Sequence, residues 1–594
     1  MKEKVFSGIA ASPGIVVGQA YLFDVEEAAV SPHPIPEKSV GAEIARFEDA
    51  LIATRKELIN IRQELADRAG RKVTDLFDAH LLVVEDRTLI AEVVKGIEEK
   101  RLNAEYVFQS VIKEYTKAFL QVEDGYIKER LSDIRDVARR VLHNLTGSKR
   151  ADLASLEEEV VVIAPDLSPS DTALMHREKV VGFATDAGGK TSHTAIMARS
   201  LEIPAVVALG NISAAVSTGD PLVVDGTSGQ VILFPSRATL ARVKREQTEL
   251  LRFETQLEEL KDRPAETRDG FRVTLAANIE MPEDLPSVVS HGGEGVGLYR
   301  TEYFYLNRVD LPDEEEQYQA YRKVAKTLHP ASVIIRTLDL GGDKFNSALE
   351  IPPEFNPFMG WRAIRFCLER QDIFKTQLRA ILRASREKNV KVMFPMISGY
   401  GELKRVLRIW EETKNEIRRQ GVPFHQDMEV GIMIEIPSAV VMADELAREV
   451  DFFSIGTNDL IQYTLAVDRV NEKIAYLYDP LNPAVIRLID QVITTGHRHN
   501  IWVGMCGEMA GDILSIPILL GLGLDEFSVS PVIIPEVKKL ISSLRLPEAR
   551  ELAQEVLSYR SADDIRAAAK KVISRTAPRL LKAEQSRVRP AGSG

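Results

Sequence analysis

The C-terminal half of the chain repeats one unit eight times: a short apolar run, a loop, and a stretch with apolar residues at helical spacing. The runs are Val273–Ala277, Gly295–Tyr299, Val333–Arg336, Val390–Phe394, Glu429–Ile434, Phe452–Ile455, Ile501–Met505 and Glu526–Val529. Short apolar runs bounded by turns predict buried strands. Eight strands alternating with helices over about 270 residues predict a (β/α)8 TIM barrel at residues 267–575, with an open doubly wound sheet as the alternative.

Polar side chains follow several of these strands, at the end where barrel active sites form. They are Arg300, Arg336, Glu435, Asn458, Asp459 and Cys506. Each is also compatible with a structural role, but a set at one end of successive strands indicates a binding site. Guanidinium groups match phosphate and carboxylate oxygens in pairs, so Arg469 and Arg362 join the candidate set. For Arg362 a surface ion pair is the alternative.

Two of these residues, Glu435 and Asp459, form a pair of carboxylates. Carboxylate oxygens together with substrate oxygens suit Mg²⁺, a hard ion that keeps some of its water. The sequence has no His/Cys cluster of the kind that binds zinc. The pair therefore predicts a magnesium site.

The N-terminal half changes character twice. Residues 1–25 contain short apolar runs broken by glycine and proline, which predict strands and turns. Residues 26–146 are poor in glycine and predict a helical bundle, and strand-like runs return at 147–235. A charged stretch without glycine at 236–266 predicts a linker helix. Proline and glycine at 576–594 predict a disordered tail.

One histidine, His193, follows a glycine turn in the segment Gly188-Gly-Lys-Thr-Ser-His-Thr-Ala-Ile-Met-Ala-Arg199. The apolar run after it favours a helix that has this histidine in its first turn. Free N–H groups at a helix start suit a phosphorylated imidazole, and histidine can act as a covalent nucleophile. The segment does not match a phosphate-binding P-loop, because Ala184 stands where the first glycine of that motif is required. A buried structural histidine remains the alternative.

The His193 segment resembles the phosphohistidine motif of phosphoenolpyruvate-utilising enzymes. Further motifs, spread over roughly residues 5–560, are similar to the enzyme I family of the bacterial sugar phosphotransferase system. This resemblance implies a swivelling α/β domain made of residues 1–25 and 147–235. It also implies that the helical insertion, residues 26–146, binds the phosphocarrier HPr, and that the barrel binds phosphoenolpyruvate and forms a homodimer.

The resemblance also implies roles for single residues. His193 carries the phosphoryl group on Nε2, while Arg300, Arg336 and Arg469 bind the substrate. Asn458 orients it, and Cys506 protonates the enolate of pyruvate; packing alone is the common role of a buried cysteine. Two departures from the family pattern, Arg87-Thr88 and Ser530-Pro531, put part of the carrier-docking face and the barrel rim in doubt.

Net charge, cysteine content and the length of apolar runs limit the possible partners and cellular location of the protein. The net charge of −12, with no basic tract, argues against nucleic acid as a partner. The two cysteines exclude a disulfide framework and fit a reducing cytoplasm. No apolar run reaches the roughly 20 residues of a membrane span, and the N-terminus lacks the core of a signal peptide.

Three rival functions follow from the same motifs. An enzyme I of the nitrogen-related chain usually has an extra N-terminal sensor domain, whereas the histidine domain here begins almost at Met1. A dikinase requires an ATP-binding domain for which the chain has no room. A phospho-regulated scaffold without catalysis predicts a broken arginine or carboxylate set, and no break is found.

Overall fold

The computed structural model describes two compact units, one ending at Leu251 and the other beginning at Arg252. The described residues are 2–581 without 24–29, 69–76, 78–79, 120–124, 148–152, 154–155, 157, 169–170, 173–174, 176–177, 190–191, 202, 307–309, 342–353, 355, 470 and 472. None of the helices in this part of the chain is long and apolar enough to cross a membrane.

A mixed sheet of eight strands forms the centre of the N-terminal unit, in the order β1-β8-β7-β3-β4-β5-β6-β2. The strands are β1 (Lys4–Ser7), β2 (Ile9–Ser12), β3 (Ile15–Leu22), β4 (Val160–Ala164), β5 (Val180–Thr185), β6 (Ala205–Val207), β7 (Pro221–Asp225) and β8 (Gln230–Leu233). Strand β3 pairs in parallel with β4, through Ala20 and Val161, and antiparallel with β7. The first 22 residues and the segment after residue 159 therefore build one sheet, as expected.

Helices occupy the sequence between β3 and β4 and follow the later strands. They are α1 (Val40–Arg68), α2 (Arg87–Lys100), α3 (Ala104–Phe119), α4 (Gly125–Thr146), α5 (His193–Ser200), α6 (Ile212–Ala215) and α7 (Arg237–Glu258). The first four share a core in which Phe47 and Phe108 lie with ring centroids 5.7 Å apart. His80 is fully buried in this unit.

A closed barrel of eight strands forms the C-terminal unit, and every neighbouring pair is parallel. The strands are β9 (Thr274–Ile279), β10 (Val296–Tyr299), β11 (Val333–Arg336), β12 (Val390–Phe394), β13 (Val430–Ile434), β14 (Phe452–Ile455), β15 (Trp502–Met505) and β16 (Glu526–Val529). The TIM-barrel prediction is confirmed, and the open sheet is wrong because β16 pairs with β9.

Helices surround the barrel. They are α8 (Leu285–Ser290), α9 (Glu314–Leu328), α10 (Ile364–Glu369), α11 (Gln371–Ala384), α12 (Tyr400–Arg419), α13 (Pro437–Val441), α14 (Ala443–Leu446), α15 (Thr457–Leu465), α16 (Pro483–Arg498), α17 (Ile516–Leu522), α18 (Ile534–Ser543), α19 (Leu546–Leu557) and α20 (Ala562–Thr576). Asp313 caps α9, where its carboxylate accepts the N–H of Glu316.

The barrel strands are apolar on both faces because each face is buried. On β12, Phe394 points outward and packs edge-on against Trp410 of α12, with ring centroids 6.3 Å apart. Its neighbour Met393 belongs to the small interior cluster with Leu298, Ile334, Met433, Phe452 and Cys506.

The predicted disordered tail is wrong at its beginning. Ala577, Leu580 and Leu581 are buried in the main core of the barrel unit, with Leu580 2% exposed. Apolar side chains in this stretch outweigh the local effect of Pro578. Residues 582–594 lie outside the described part of the chain.

Candidate active site

A cavity of about 310 Å³ opens among the residues that follow the barrel strands. Its lining includes all eight site residues predicted in the barrel, namely Arg300, Arg336, Arg362, Glu435, Asn458, Asp459, Arg469 and Cys506. The structure therefore brings together a set that is spread over 207 positions of the sequence, from 300 to 506.

The barrel topology explains this convergence. Arg300, Glu435 and Cys506 each directly follow a strand, and Arg336 is the last residue of β11. The carboxyl ends of parallel strands lie at one end of a closed barrel, so these side chains meet there. Asn458 and Asp459 lie in the first turn of α15, three and four residues beyond the end of β14.

Two of the arginines, Arg336 and Arg362, form ion pairs with carboxylates of the cavity. Arg336 is 2.9 Å from Glu302 and 2.9 Å from Asp339. Arg362 donates to Asp339 from Nε and Nη2, at 3.2 and 2.8 Å, and lies 3.4 Å from Asp459. The surface ion pair considered for Arg362 is therefore wrong, since Arg362 is 9% exposed.

Glu302 and Asp339 also line the cavity, and neither was predicted from the sequence. Buried arginines require acidic partners, so Asp339, three residues after Arg336, could have been found from the sequence. Glu302 could not, because it follows Arg300 in the sequence but pairs with Arg336.

Burial and neighbouring charges shift the pKa values of the ionisable side chains in the cavity. Burial disfavours the charged Arg336 guanidinium, but the carboxylates of Glu302 and Asp339 outweigh it and raise its pKa. Burial, reinforced by the negative charges of Asp459 and Asp339, raises the pKa of Glu435 to about 8. Burial also raises the pKa of Asp459, against the opposing effect of Arg362.

Glu435 and Asp459 fit a cation site. The negative charge of Asp459 raises the pKa of Glu435, so a divalent ion bound by both carboxylates would offset their repulsion. Glu435 is held in place by the N–H of Met396, which donates to its Oε1 at 2.6 Å. Within the described residues, no group of three or more His, Cys, Asp or Glu side chains is arranged to hold a metal.

Cys506 lies at the inner wall of the cavity and is 3% exposed. The Ser454 hydroxyl donates to its Sγ at 3.4 Å. The Asn278 amide donates to the Cys506 carbonyl at 3.0 Å, and Ser528 donates to Asn278 Oδ1 at 2.6 Å. Burial raises the pKa of the thiol to about 11, so it is protonated at neutral pH.

His193 lies in the other unit, as the first residue of α5, which confirms the predicted helix start. Ser192 caps this helix, and its hydroxyl accepts the N–H of Ala195 at 3.3 Å. Gly188 before it has a φ of +119° and packs against Val207, where a Cβ would lie 3.0 Å from the valine Cβ. The side chain of His193 lies outside the described part of the structure.

The segments that resemble a carrier-docking surface are only partly described. Residues 75–76, 78–79 and the side chains of 126–133 lie outside the described part. Asp86 caps α2, where its carboxylate accepts the N–H groups of Thr88 and Leu89. Glu85 pairs with Arg55 at 2.6 Å. The two acids that precede Arg87 thus have local structural partners.

The chain is similar in sequence to one enzyme family along most of its length. Residues 7–130 match the N-terminal region of the PEP-utilising enzymes, residues 156–229 their mobile domain, and residues 254–546 their PEP-binding domain. His193 falls within the mobile-domain match, and the eight cavity residues fall within the PEP-binding match.

Curated relatives extend this similarity to whole chains. The phosphoenolpyruvate-protein phosphotransferases of Bacillus sp. (strain S) and Geobacillus stearothermophilus are each 48% identical, over 97% of this chain and 99% of theirs. That of Bacillus subtilis is 46% identical over 94% of this chain and 98% of its own. Among solved structures, the solution structure of an Enzyme I protein is 44% identical and covers 41% of this chain and 99% of its own, with a TM-score of 0.37.

Proposed function

The chain belongs to the phosphoenolpyruvate-protein phosphotransferase family of PEP-utilising enzymes, and from this membership we propose that it moves the phosphoryl group of phosphoenolpyruvate to His193. The phosphoryl group then passes to the histidine of an HPr-type phosphocarrier, and pyruvate is released. The observation that carries this proposal is the cavity at the carboxyl ends of the barrel strands, which is lined by four arginines and two carboxylates of the predicted set.

The arginines give the cavity its affinity for a ligand with a phosphate and a carboxylate. Arg300, Arg336 and Arg469 are the proposed substrate ligands, and Asn458 adds an amide donor. Arg362, whose guanidinium group is engaged by Asp339 and Asp459, contributes positive charge and positions these two carboxylates. Such preorganised charges favour phosphoryl transfer because the reacting phosphate spreads negative charge over its oxygens.

Glu435 and Asp459 are the residues that would hold Mg²⁺. When bound, the ion offsets negative charge on the phosphate and on the enolate oxygen. The Met396 N–H donates to Glu435 and would keep this carboxylate in place to hold the ion.

In the proposed transfer, Nε2 of His193 forms a bond to phosphorus as the bond from phosphorus to the enol oxygen breaks. The Cys506 thiol gives its proton to carbon 3 of the enolate, which becomes pyruvate. Its raised pKa keeps this proton on sulfur at neutral pH, and the Ser454 hydroxyl stabilises the thiolate that remains. For the carrier to be loaded, the unit with His193 must move, and α7 is the proposed linker.

Further assignments rest on the same membership. We propose that the helices α1–α4 dock the carrier protein, that the barrel forms a homodimer, and that the protein works in the cytoplasm. Two unpaired, buried cysteines, Cys367 and Cys506, are compatible with a reducing compartment.

Labelled phosphoenolpyruvate and Mg²⁺ test the proposal, with and without purified HPr. We expect acid-labile label on the wild type and on H33A, an exposed histidine of the same unit, but none on H193A. The label should move to HPr. If the protein is labelled and HPr is not, the nitrogen-related paralog is the better function; if no label appears at all, a non-catalytic scaffold is.

Replacement of the proposed acid separates binding from proton transfer. C506A should bind phosphoenolpyruvate as the wild type does, yet form pyruvate at least about 100-fold more slowly, since general acids contribute 10²–10⁴-fold. C367A, which removes the other buried thiol, is the control. An unchanged rate of pyruvate formation in C506A would remove this residue from the mechanism.

A further inference from the structure

The rim of the cavity holds a carboxylate in contact with two proposed substrate ligands. Glu508 Oε1 lies 3.5 Å from Nη1 of Arg469 and accepts a hydrogen bond from Nδ2 of Asn458 at 3.3 Å. One carboxylate oxygen thus faces both donors, which is the arrangement that a substrate carboxylate requires.

The backbone of Glu508 fixes the direction of that amide. Its N–H donates to Oδ1 of Asn458 at 3.0 Å, which leaves Nδ2 as the group that points to the carboxylate. The preceding Gly507 allows the close approach, because a Cβ there would lie 1.9 Å from Thr457 Oγ1. The orientation of Asn458 is therefore set by the main chain and does not depend on the Glu508 side chain.

Glu508 differs from the other carboxylates that line the described part of the cavity in its exposure. Its side chain is 78% exposed, against 13% for Glu302, 5% for Asp339 and 16% for Asp459. A buried carboxylate cannot leave its arginine without stranding a charge, whereas Glu508 can turn into solvent. Exposed ion pairs of this kind contribute about 1 kcal/mol or less, so a ligand can displace it.

We propose that Glu508 is an internal competitor that holds the place of the substrate carboxylate at Arg469 and Asn458 until the substrate displaces it. The inference rests on the proposed function for the identity of the ligand. It makes Glu508 a specificity-determining residue: a ligand with its own carboxylate replaces the lost contacts, whereas a phosphate without one does not.

Calorimetry on the H193A background tests this without any turnover. In the presence of Mg²⁺, we expect H193A/E508A to bind phosphoenolpyruvate about two- to five-fold more tightly than H193A, as the loss of an exposed ion pair allows. H193A/E508Q should fall between the two, because an amide is a weaker acceptor. The affinity for inorganic phosphate should stay the same in all three. H193A/E411A is the matched control, since Glu411 forms an exposed pair with Lys414 on α12.

The outcomes separate the inference from the function on which it rests. Unchanged or weaker phosphoenolpyruvate binding in H193A/E508A overturns the competitor role. Equal tightening for phosphoenolpyruvate and inorganic phosphate also overturns it, since that result indicates a general charge effect. If H193A does not bind phosphoenolpyruvate at all, the proposed function itself fails, and the inference fails with it.

Discussion

The Ser454 hydroxyl donates a hydrogen bond to the Cys506 thiol across 3.4 Å, from one strand of the barrel to the end of the next. Both residues are buried, so the thiolate that the proposed proton transfer would leave is poorly hydrated. This hydrogen bond also opposes the effect of burial on the thiol pKa.

Loss of this hydroxyl should slow the proton step. S454A is expected to lower kcat for pyruvate formation about three- to ten-fold with little change in KM, as one buried hydrogen bond is worth about 1 kcal/mol. S454T, which keeps a hydroxyl, should recover most of the rate. Steady-state assays across pH 6–9 give both constants. A parallel fall of the rate in S454A and S454T would instead indicate a packing defect.

Asp339 should be essential for the arrangement of the cavity. D339N removes the charge that both Arg336 and Arg362 contact and leaves two buried guanidinium groups underpaired. Breaking a buried pair costs about 3–5 kcal/mol, and misplaced ligands should raise KM for phosphoenolpyruvate about 10-fold or more. Thermal unfolding and steady-state kinetics measure the two effects.

A surface pair of the same chemistry provides the comparison for D339N. Arg370 binds Asp372 through two hydrogen bonds, at 3.0 and 2.7 Å, and the Asp372 side chain is 64% exposed. D372N should change the free energy of unfolding by about 1 kcal/mol or less and leave KM unaltered. Equal effects in D339N and D372N would contradict the assigned role of Asp339.

Glu526 should make the barrel less stable as pH rises. Burial raises its pKa from 4.5 to about 7, with a weaker opposite effect from Lys391. The folded state thus holds a proton that the unfolded state releases, so stability is full below pH 4.5 and is lost as pH rises toward 7.

A neutral side chain removes this pH dependence. E526Q should be more stable than the wild type by about 2–3 kcal/mol at pH 8 and similar to it at pH 4.5. Denaturant unfolding of the full chain across this pH range checks the sign, with the exposed variant E411Q as the reference. A stabilisation that does not depend on pH would exclude titration of Glu526 as its cause.

Replacement of the Glu435 carboxylate by an amide should weaken Mg²⁺ binding at the proposed metal site without changing the structure of the cavity wall. E435Q keeps an oxygen for the Met396 N–H but loses the charge. We expect the Mg²⁺ concentration for half-maximal activity to rise about 10-fold or more, because Mg²⁺ binding depends on carboxylate ligands. E445Q, an exposed position on α14, should match the wild type. Removal of divalent ions with EDTA should stop labelling, and added Mg²⁺ should restore it.

The pattern of apolar and polar residues in the sequence was enough to predict the barrel strands and most of the charged residues that line the cavity. Eight apolar runs placed the barrel strands to within two residues, because a strand buried on both faces must be apolar throughout. Polar residues directly after those runs, such as Arg300 and Cys506, could be selected because barrel topology directs strand ends to one place.

Only the tertiary structure decided how those residues pair. Glu302, Asp339 and Glu508 are ordinary acids in the sequence, and their contacts with Arg336, Arg362 and Arg469 depend on loops that meet in space. Burial likewise sets the raised pKa of Glu435 and Cys506. Periodicity reports which face of an element is buried, whereas charge pairing and desolvation depend on distances that only the folded chain establishes.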